Sequence, residues 1–530
     1  MNIPLIVKPI IDKFSQNQKL EIWSNGHPSW VDAPFNPYFY SEYKLKLDFL
    51  KPQTEDSIVS KILYSNRQLT NLYKYSFNNT KFINQYREED SIESDILYTD
   101  RVCIDQPDFF TNFPNENPLK TLFFDIEVDT IGMFPTPDRN AIIAIGCKCG
   151  ERKAIFMSET YNDDKIILNK FFDFIKETDP DIISHYNGNS FDIPYVIERM
   201  KVNHIPLNRW SRNKSPIHPF KNTISIGGRL SFDLYHEAQR DQTLSGIKNL
   251  KMKTLARWLD KEKTLGEVIE VPYSEMRDMV NTTKLREYLI SDINITEFLF
   301  KVYFKNVQML AEMNKIPLNL MMGSSASFLP NIIHGREFQK LNIVADKTNG
   351  QRHPKYIKNK QGALVDTFAP GLYLNTIYKV DFSSQYPRAA QNFNASPETV
   401  RILRYDIFSD YKFDISNPDK YVFSIPDEKA NKNIVLEINM TKRGFLAQFM
   451  DEVLTERFMI KKRMKDLDKN STEYEYLHVR QNALKVVANV QTGYEGQEFA
   501  RFGDLGTYCL ITGMCRYYIK MAMAGILCQN

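Results

Sequence analysis

The sequence is poor in the features that mark several classes of protein. Its six cysteines (Cys103, Cys147, Cys149, Cys509, Cys515 and Cys528) include no C-x-x-C pair. That argues against a disulfide framework or zinc module and for a reducing, cytoplasmic setting. No uncharged apolar run approaches the ~18 residues of a membrane span, so no membrane partner is expected. The opening Met1-Asn-Ile-Pro-Leu-Ile6 lacks the basic region and cleavage pattern of a secretory leader. An excess of one charge is missing too: 68 Lys and Arg stand against 65 Asp and Glu, a net charge of +3. This excludes a uniformly basic, histone-like mode of DNA binding but leaves room for local basic channels. Internal repeats and low-complexity tracts are also lacking. What remains is a chain of 530 residues, 42% apolar and 25% charged, with room for about three or four domains.

The pattern along the chain is that of a mixed, multidomain α/β protein. Residues 1–115 alternate aromatic, strand-like runs (Tyr38–Phe49) with polar loops and end in a Pro- and Asn-rich boundary at Thr111–Pro118. Residues 116–304 alternate strand and helix patterns, with a strand-like run at Leu122–Val128 and a hairpin at Thr223–Tyr235 turning at Gly227-Gly228. Helical patterns dominate 284–345, and short strands return at Ala363–Phe382. Two further helical patterns flank a polar turn at Asp468–Ser471, and Thr472 with Glu475 has capping-box spacing.

In Leu122-Phe-Phe-Asp-Ile-Glu-Val128 the strand period of two puts Asp125 and Glu127 on one face and Phe124, Ile126 and Val128 on the other. Two adjacent carboxylates on an apolar strand repel each other and lose hydration. A divalent metal answers that problem; a charged, exposed strand edge would show the same pattern. A polar turn, Asn187-Gly-Asn-Ser-Phe-Asp192, comes after the apolar run beginning at Asp181. Tyr288 and Asp292 then fall at i and i+4, one face of a helix whose stripe is Leu285, Leu289, Ile293, Thr296 and Leu299. Asp292 therefore lies near the buried side, where a carboxylate needs a partner or a metal.

Taken together, D-x-E, N-x-x-x-F-D and Y-x-x-x-D resemble the three exonuclease motifs of B-family DNA polymerases, in order and spacing. Gly228-Arg-Leu-Ser-Phe-Asp-Leu234 is similar to a segment these proteins carry between their second and third motifs. The resemblance implies a ribonuclease H-like domain hydrolysing 3′-terminal phosphodiesters with two ions of Mg2+ (or Mn2+) per active site. It makes Asp125, Glu127, Asp192 and Asp292 metal ligands, has Tyr288 orient the attacking water, and sets Asn187 and Phe191 against the substrate strand.

A second constellation begins at Tyr378-Lys-Val-Asp-Phe-Ser-Ser-Gln-Tyr-Pro387, where an apolar strand runs into a proline-stopped turn with Asp381 at its end. The run resembles the family's motif A, and Asn394-Ala-Ser-Pro-Glu-Thr399 is similar to the segment just after that motif in T-even-type bacteriophage polymerases, which suggests a viral source. The resemblance implies that Asp381 binds metal, that the amides of Phe382, Ser383, Ser384 and Gln385 cradle a triphosphate, and that Tyr386 packs beneath the sugar. Gln385 replaces the usual leucine. In the late helices Arg457 continues the apolar stripe of Leu446, Phe449, Met450, Val453 and Leu454, with Lys461 one turn on. Lys485 and Asn489, a turn apart, face them across the hairpin, and convergence on a polyanion is expected. Lys462, Arg463 and Lys465 read as a solvated face. The stretch Arg480–Gly493 resembles motif B of the polymerase fingers, which makes Arg457, Lys461 and Lys485 triphosphate ligands and Asn489 a nucleotide contact. Val490 and Thr492 depart from the family's serine and tyrosine.

Motif C, an aspartate-rich D-T-D-S hairpin, is not found in the 37 residues after Gly493. A lone Asp381 cannot hold two ions about 3.5–4 Å apart, so synthesis by these residues alone is not expected. The expected organisation is thus an N-terminal domain (1–115), the exonuclease (116–304), a helical connection (305–352), a first palm part (353–444), helical-hairpin fingers (445–495) and a second palm part (496–530). The favoured reading is one chain of a split polymerase, with a second chain supplying motif C and the thumb. A continuous polymerase cut short, a stand-alone exonuclease and a non-catalytic DNA-binding relative stay open. Expected partners are primer-template DNA, single-stranded 3′ ends, deoxynucleoside triphosphates, a sliding clamp and a single-strand-binding protein. The expected location is the cytoplasm, that of a host cell for a viral source.

Overall fold

The computed structural model describes every residue except 42–53, 63–68, 86–90, 130–134, 160–162, 221–222, 242–243, 245, 273–274, 323, 346–360, 365–380, 498 and 528–530. The chain divides into two compact units. One comprises Met1–Ile10, Lys19–Ala33 and Asp108–Ser324, the other Ile11–Gln18, Pro34–Pro107 and Ser325–Asn530. The N-terminal 115 residues, expected as one domain, are thus shared between the two. Residues at the very start belong with the first unit because its polar groups hold them. The Met1 amino group donates to the Asn115 carbonyl at 3.0 Å, and the Val7 N–H donates to the Asn319 side chain at 3.0 Å.

The first unit is built on a five-stranded sheet in the order Leu230–Asp233, Ile182–His185, Thr121–Val128, Ile142–Cys149, Arg152–Met157. Its central strand, Thr121–Val128, runs parallel to Ile182–His185 and antiparallel to Ile142–Cys149. Leu122, Phe124, Ile126 and Val128 are buried with Phe171, Phe172 and Trp210 in one core, so alternation sends Asp125 and Glu127 to the opposite face. The long helix Thr283–Met313 packs on that opposite face. It starts at Thr282, whose hydroxyl accepts the Leu285 N–H at 3.3 Å, and it buries Leu285, Leu289, Ile293 and Leu299. Gly146, opposite Asp125 on the neighbouring strand, permits the approach. A Cβ there would lie 3.3 Å from Leu289 and Ile293 atoms.

The hairpin expected over Thr223–Tyr235 is only a turn. Ile226 bridges Arg229 around Gly227-Gly228, but Thr223–Ser225 pairs with His218–Phe220 while Leu230–Asp233 joins the main sheet. Sheet pairing with Ile182–His185 outweighs the local hairpin.

In the second unit, a four-stranded antiparallel sheet runs Val400–Ile407, Lys432–Asn439, Lys420–Asp427, Lys412–Asn417. Helix Leu505–Leu527 packs so closely that a Cβ on Gly513 would lie 2.4 Å from Ile425. Helices Phe445–Met464 and Thr472–Glu495 pack against each other as the expected hairpin. The cap of the second is Ser471, whose hydroxyl accepts the Tyr474 N–H at 3.1 Å, and not Thr472, which is the first helical residue. Of the expected run Tyr38–Phe49, Tyr38–Ser41 is a strand and 42–49 lie outside the described residues. Residues 363–364 and 381–382 form no strand, and 365–380 lie outside the description. Among the described residues no helix is long and apolar enough to cross a membrane.

Candidate metal centre and candidate nucleotide site

In the first unit, carboxylate oxygens of Asp125, Glu127 and Asp292 lie within 4.8 Å of one another. Asp192, in the first turn of helix Asp192–Val202, faces Asp125 and Glu127 closely enough to repel both. Burial, then mutual repulsion, lifts Asp125 well above the ordinary carboxylate range and Glu127 to about 8. Burial also raises Asp192 to about 7, although N–H groups including that of Ile126 favour its charged form. Asp292 rises by burial to about 6, held down by Lys253 and Tyr288. The Tyr288 hydroxyl is pushed far up by burial and by Glu127, Asp292 and Asp125, so it stays a protonated donor. An all-oxygen, anionic donor set short of positive charge fits a hard divalent cation.

Lys253 is the residue that sequence reasoning missed. It rises from the short helix Met252–Leu259, which packs on the long helix. Its ammonium stands 3.0 Å from an Asp292 oxygen and 3.8 Å above the centre of the Tyr288 ring. Neighbouring Lys251, Lys261 and Lys263 carry the same signature in sequence, so nothing in the pattern marks Lys253 out.

The loop bearing Asn187, Phe191 and Asp192 is fixed from below by the segment around Asp233. One Asp233 oxygen accepts the Asn187 N–H at 2.8 Å, and the other accepts the Asn189 N–H at 3.0 Å. Gly188 donates its N–H to His185 Nδ1 at 3.1 Å, which leaves the proton on Nε2 to donate to Ser231 Oγ at 2.8 Å. Ser231 in turn donates to the Asn189 side chain at 2.9 Å. A Cβ on Gly188 would meet the His185 ring at 2.5 Å, so only glycine fits. This support explains Asn187 in a left-handed conformation, φ 60°. Phe191 stays partly exposed, 5.4 Å from the Tyr195 ring centre.

In the second unit, Asp381, Phe382 and Ser383 are exposed in a turn that enters the eight-residue helix Gln385–Asn392. Ser384, left-handed at φ 54°, ends the turn, and its hydroxyl accepts from Arg457 at 3.1 Å. Gln385, the departure from leucine, donates to the Cys515 carbonyl at 3.1 Å and so ties the turn to helix Leu505–Leu527. Tyr386 is half-buried, and burial raises its hydroxyl pKa. Burial lowers Arg457, and Lys461 is lowered by burial and then by repulsion from Arg457 and Lys485. Lys461 thus lies within repelling range of Arg457 and Lys485, with Asn489 exposed one turn beyond Lys485. Arg463 pairs instead with Glu473, as a solvated charge does. Val490 is half-buried. Thr492 is buried, and its hydroxyl lacks a hydrogen-bond partner.

The sequence matches "DNA polymerase family B, exonuclease domain" over residues 73–255 and "DNA polymerase family B" over residues 316–526. DNA polymerase 2 of Aeropyrum pernix is 28% identical over 73% of this chain and 46% of its own length. The DNA polymerase delta catalytic subunit of Oryza sativa subsp. japonica is 26% identical over 81% of this chain and 40% of its own. In fold, the chain is similar to the family B DNA polymerase of Pyrobaculum calidifontis, with a TM-score of 0.78 and 22% identity, over 99% of this chain and 72% of that one. The chain spans about half the length of the curated relatives it matches.

Proposed function

Because the chain belongs to DNA polymerase family B, we propose that it removes nucleotides from 3′ ends of DNA by metal-assisted hydrolysis. The observation that carries this reading is the meeting of Asp125, Glu127 and Asp292, with Asp192 beside them. These four would hold two Mg2+ or Mn2+ ions, which supply an activated water and charge stabilisation on the entering and leaving oxygens. Tyr288, protonated, donates a hydrogen bond that orients the water. Lys253 offsets the charge of Asp292 and keeps the Tyr288 ring in place. Phe191 offers an exposed ring on which a terminal base stacks, and Asn187 contacts the same strand.

The second site, on this reading, binds deoxynucleoside triphosphate for template-directed synthesis. Arg457, Lys461 and Lys485 meet the phosphates, Asn489 contacts the nucleotide, the amides of 382–385 cradle the triphosphate, Tyr386 lies beneath the sugar, and Asp381 is one metal ligand. Two-metal chemistry needs a further carboxylate. We assign it, with the thumb, to a polypeptide segment beyond this sequence. Clamp and single-strand-binding proteins are further partners proposed from the family. A viral origin is proposed from the Asn394–Thr399 run alone; the Aeropyrum, Pyrobaculum and Oryza relatives are archaeal and plant proteins. The proposed location is the cytoplasm, which suits five buried thiols free of disulfides.

The test is degradation of a 5′-labelled single-stranded oligonucleotide by the purified chain. Stepwise shortening from the 3′ end with Mg2+, abolished by chelator, supports the proposal. DNA binding without metal-dependent cleavage favours a non-catalytic relative.

A further inference from the structure

We infer that one proton shared by His334 and Glu495 latches the base of the helical hairpin that carries Lys485 and Asn489, so that the hairpin loosens as pH rises. Helix Phe328–Lys340 meets the end of helix Thr472–Glu495 through three side chains on one stripe: Ser327, Asn331 and His334. Ser327 bonds Gln497, Asn331 accepts from the Tyr494 hydroxyl, and His334 Nε2 lies 2.6 Å from Glu495 Oε1. Both members of the last pair are fully buried.

The other hydrogen bonds fix the number of protons. His334 Nδ1 is 3.0 Å from the Pro330 carbonyl, an acceptor only, so Nδ1 carries a hydrogen. Glu495 Oε2 accepts the Asp504 N–H at 2.7 Å. The 2.6 Å contact then needs one more hydrogen, on imidazole or carboxyl alike. Without it, two lone pairs face each other in an apolar cage of Phe338, Phe445 and Tyr494, whose ring centres lie 6.2, 4.9 and 5.0 Å from the imidazole. Burial raises Glu495 and His334 opposes the rise; Asp504, a charged group facing the pair, adds to it through its carboxylate and opposes it through its N–H.

Phe445 opens the first hairpin helix and Glu495 closes the second, so one imidazole touches both roots. Just above it, Gln491 Oε1 and Thr492 Oγ1 are buried without hydrogen-bond partners, so this turn of helix forgoes two side-chain hydrogen bonds. The folded pair keeps a proton that the separated groups release, so its stabilisation is present at low pH and lost as pH rises.

The experiment is hydrogen exchange of the intact chain, monitoring amides 484–496 from pH 6 to pH 9 with intrinsic exchange divided out. The wild type should open about tenfold more per pH unit over the range where the closed pair still holds the proton and the open groups do not. In Glu495→Gln the amide donates to neutral His334 and still accepts from Asp504, so the slope should vanish. His334→Gln, also a permanent donor, serves if that variant does not fold. A flat wild-type profile, or an undiminished slope in the folded variant, overturns the inference. Weaker triphosphate binding at high pH is expected only if the proposed function holds; the exchange measurement needs no nucleotide and fails or succeeds independently of it.

Discussion

The Lys253 ammonium lies 3.0 Å from Asp292 and 3.8 Å above the Tyr288 ring, a single cation set between two members of the carboxylate centre. On the proposed function, it acts on Asp292 as an outer partner acts on a metal ligand. Lys253→Met should therefore cut the rate of 3′-nucleotide release about 10–100-fold, with the fold retained by circular dichroism. An unchanged rate would make Lys253 a bystander.

Asp125 is held in a site that repels its charge. Asp125→Asn should abolish hydrolysis yet stabilise the metal-free protein by ~1–2 kcal/mol, as replacements of strained functional groups do. Thermal melts in chelator should show the variant ahead. Added Mg2+ should shift only the wild type upward, by ligand linkage.

How much of the fold and site is legible in the sequence depends on whether chemistry and periodicity coincide. Asp125 and Glu127 are legible because a strand period of two separates them from Phe124 and Ile126, and Asp292 because a helical period puts it beside Leu289 and Ile293. Lys253 is not, since its role comes from one short helix packing on another. Gly146 is equally silent: its lack of a Cβ matters only because Leu289 arrives across the sheet. Ser471 takes the cap one residue before the expected Thr472 because both hydroxyls suit the motif and backbone geometry chooses.

His185 is wholly buried, and burial lowers its pKa from 6.5 to about 4, opposed by Asp233. The unfolded chain takes up that proton first, so the stabilisation is intact above about pH 6.5 and shrinks as pH falls towards 4. The loss should be on the order of 3 kcal/mol. Denaturant titrations at pH 7 and pH 4.5 should show a steeper fall for wild type than for His185→Gln. Parallel slopes would place the acid sensitivity elsewhere.

Lys461 lies within repelling range of Arg457 and Lys485, whereas neighbouring Lys462 reads as part of the solvated face. Arg457→Ala or Lys485→Ala should weaken dATP binding about 10–100-fold, as expected for charge-assisted hydrogen bonds. Lys462→Ala should leave it unchanged. Calorimetric titration separates these outcomes.

The most direct measurement presents the purified 530-residue chain with a 5′-labelled primer-template, Mg2+ and all four deoxynucleoside triphosphates, beside an Asp125→Asn, Glu127→Gln control. The account predicts primers shortened from the 3′ end by the wild type, not by the control, and no extension by either. Extension by the chain alone, or no metal-dependent shortening, would contradict it.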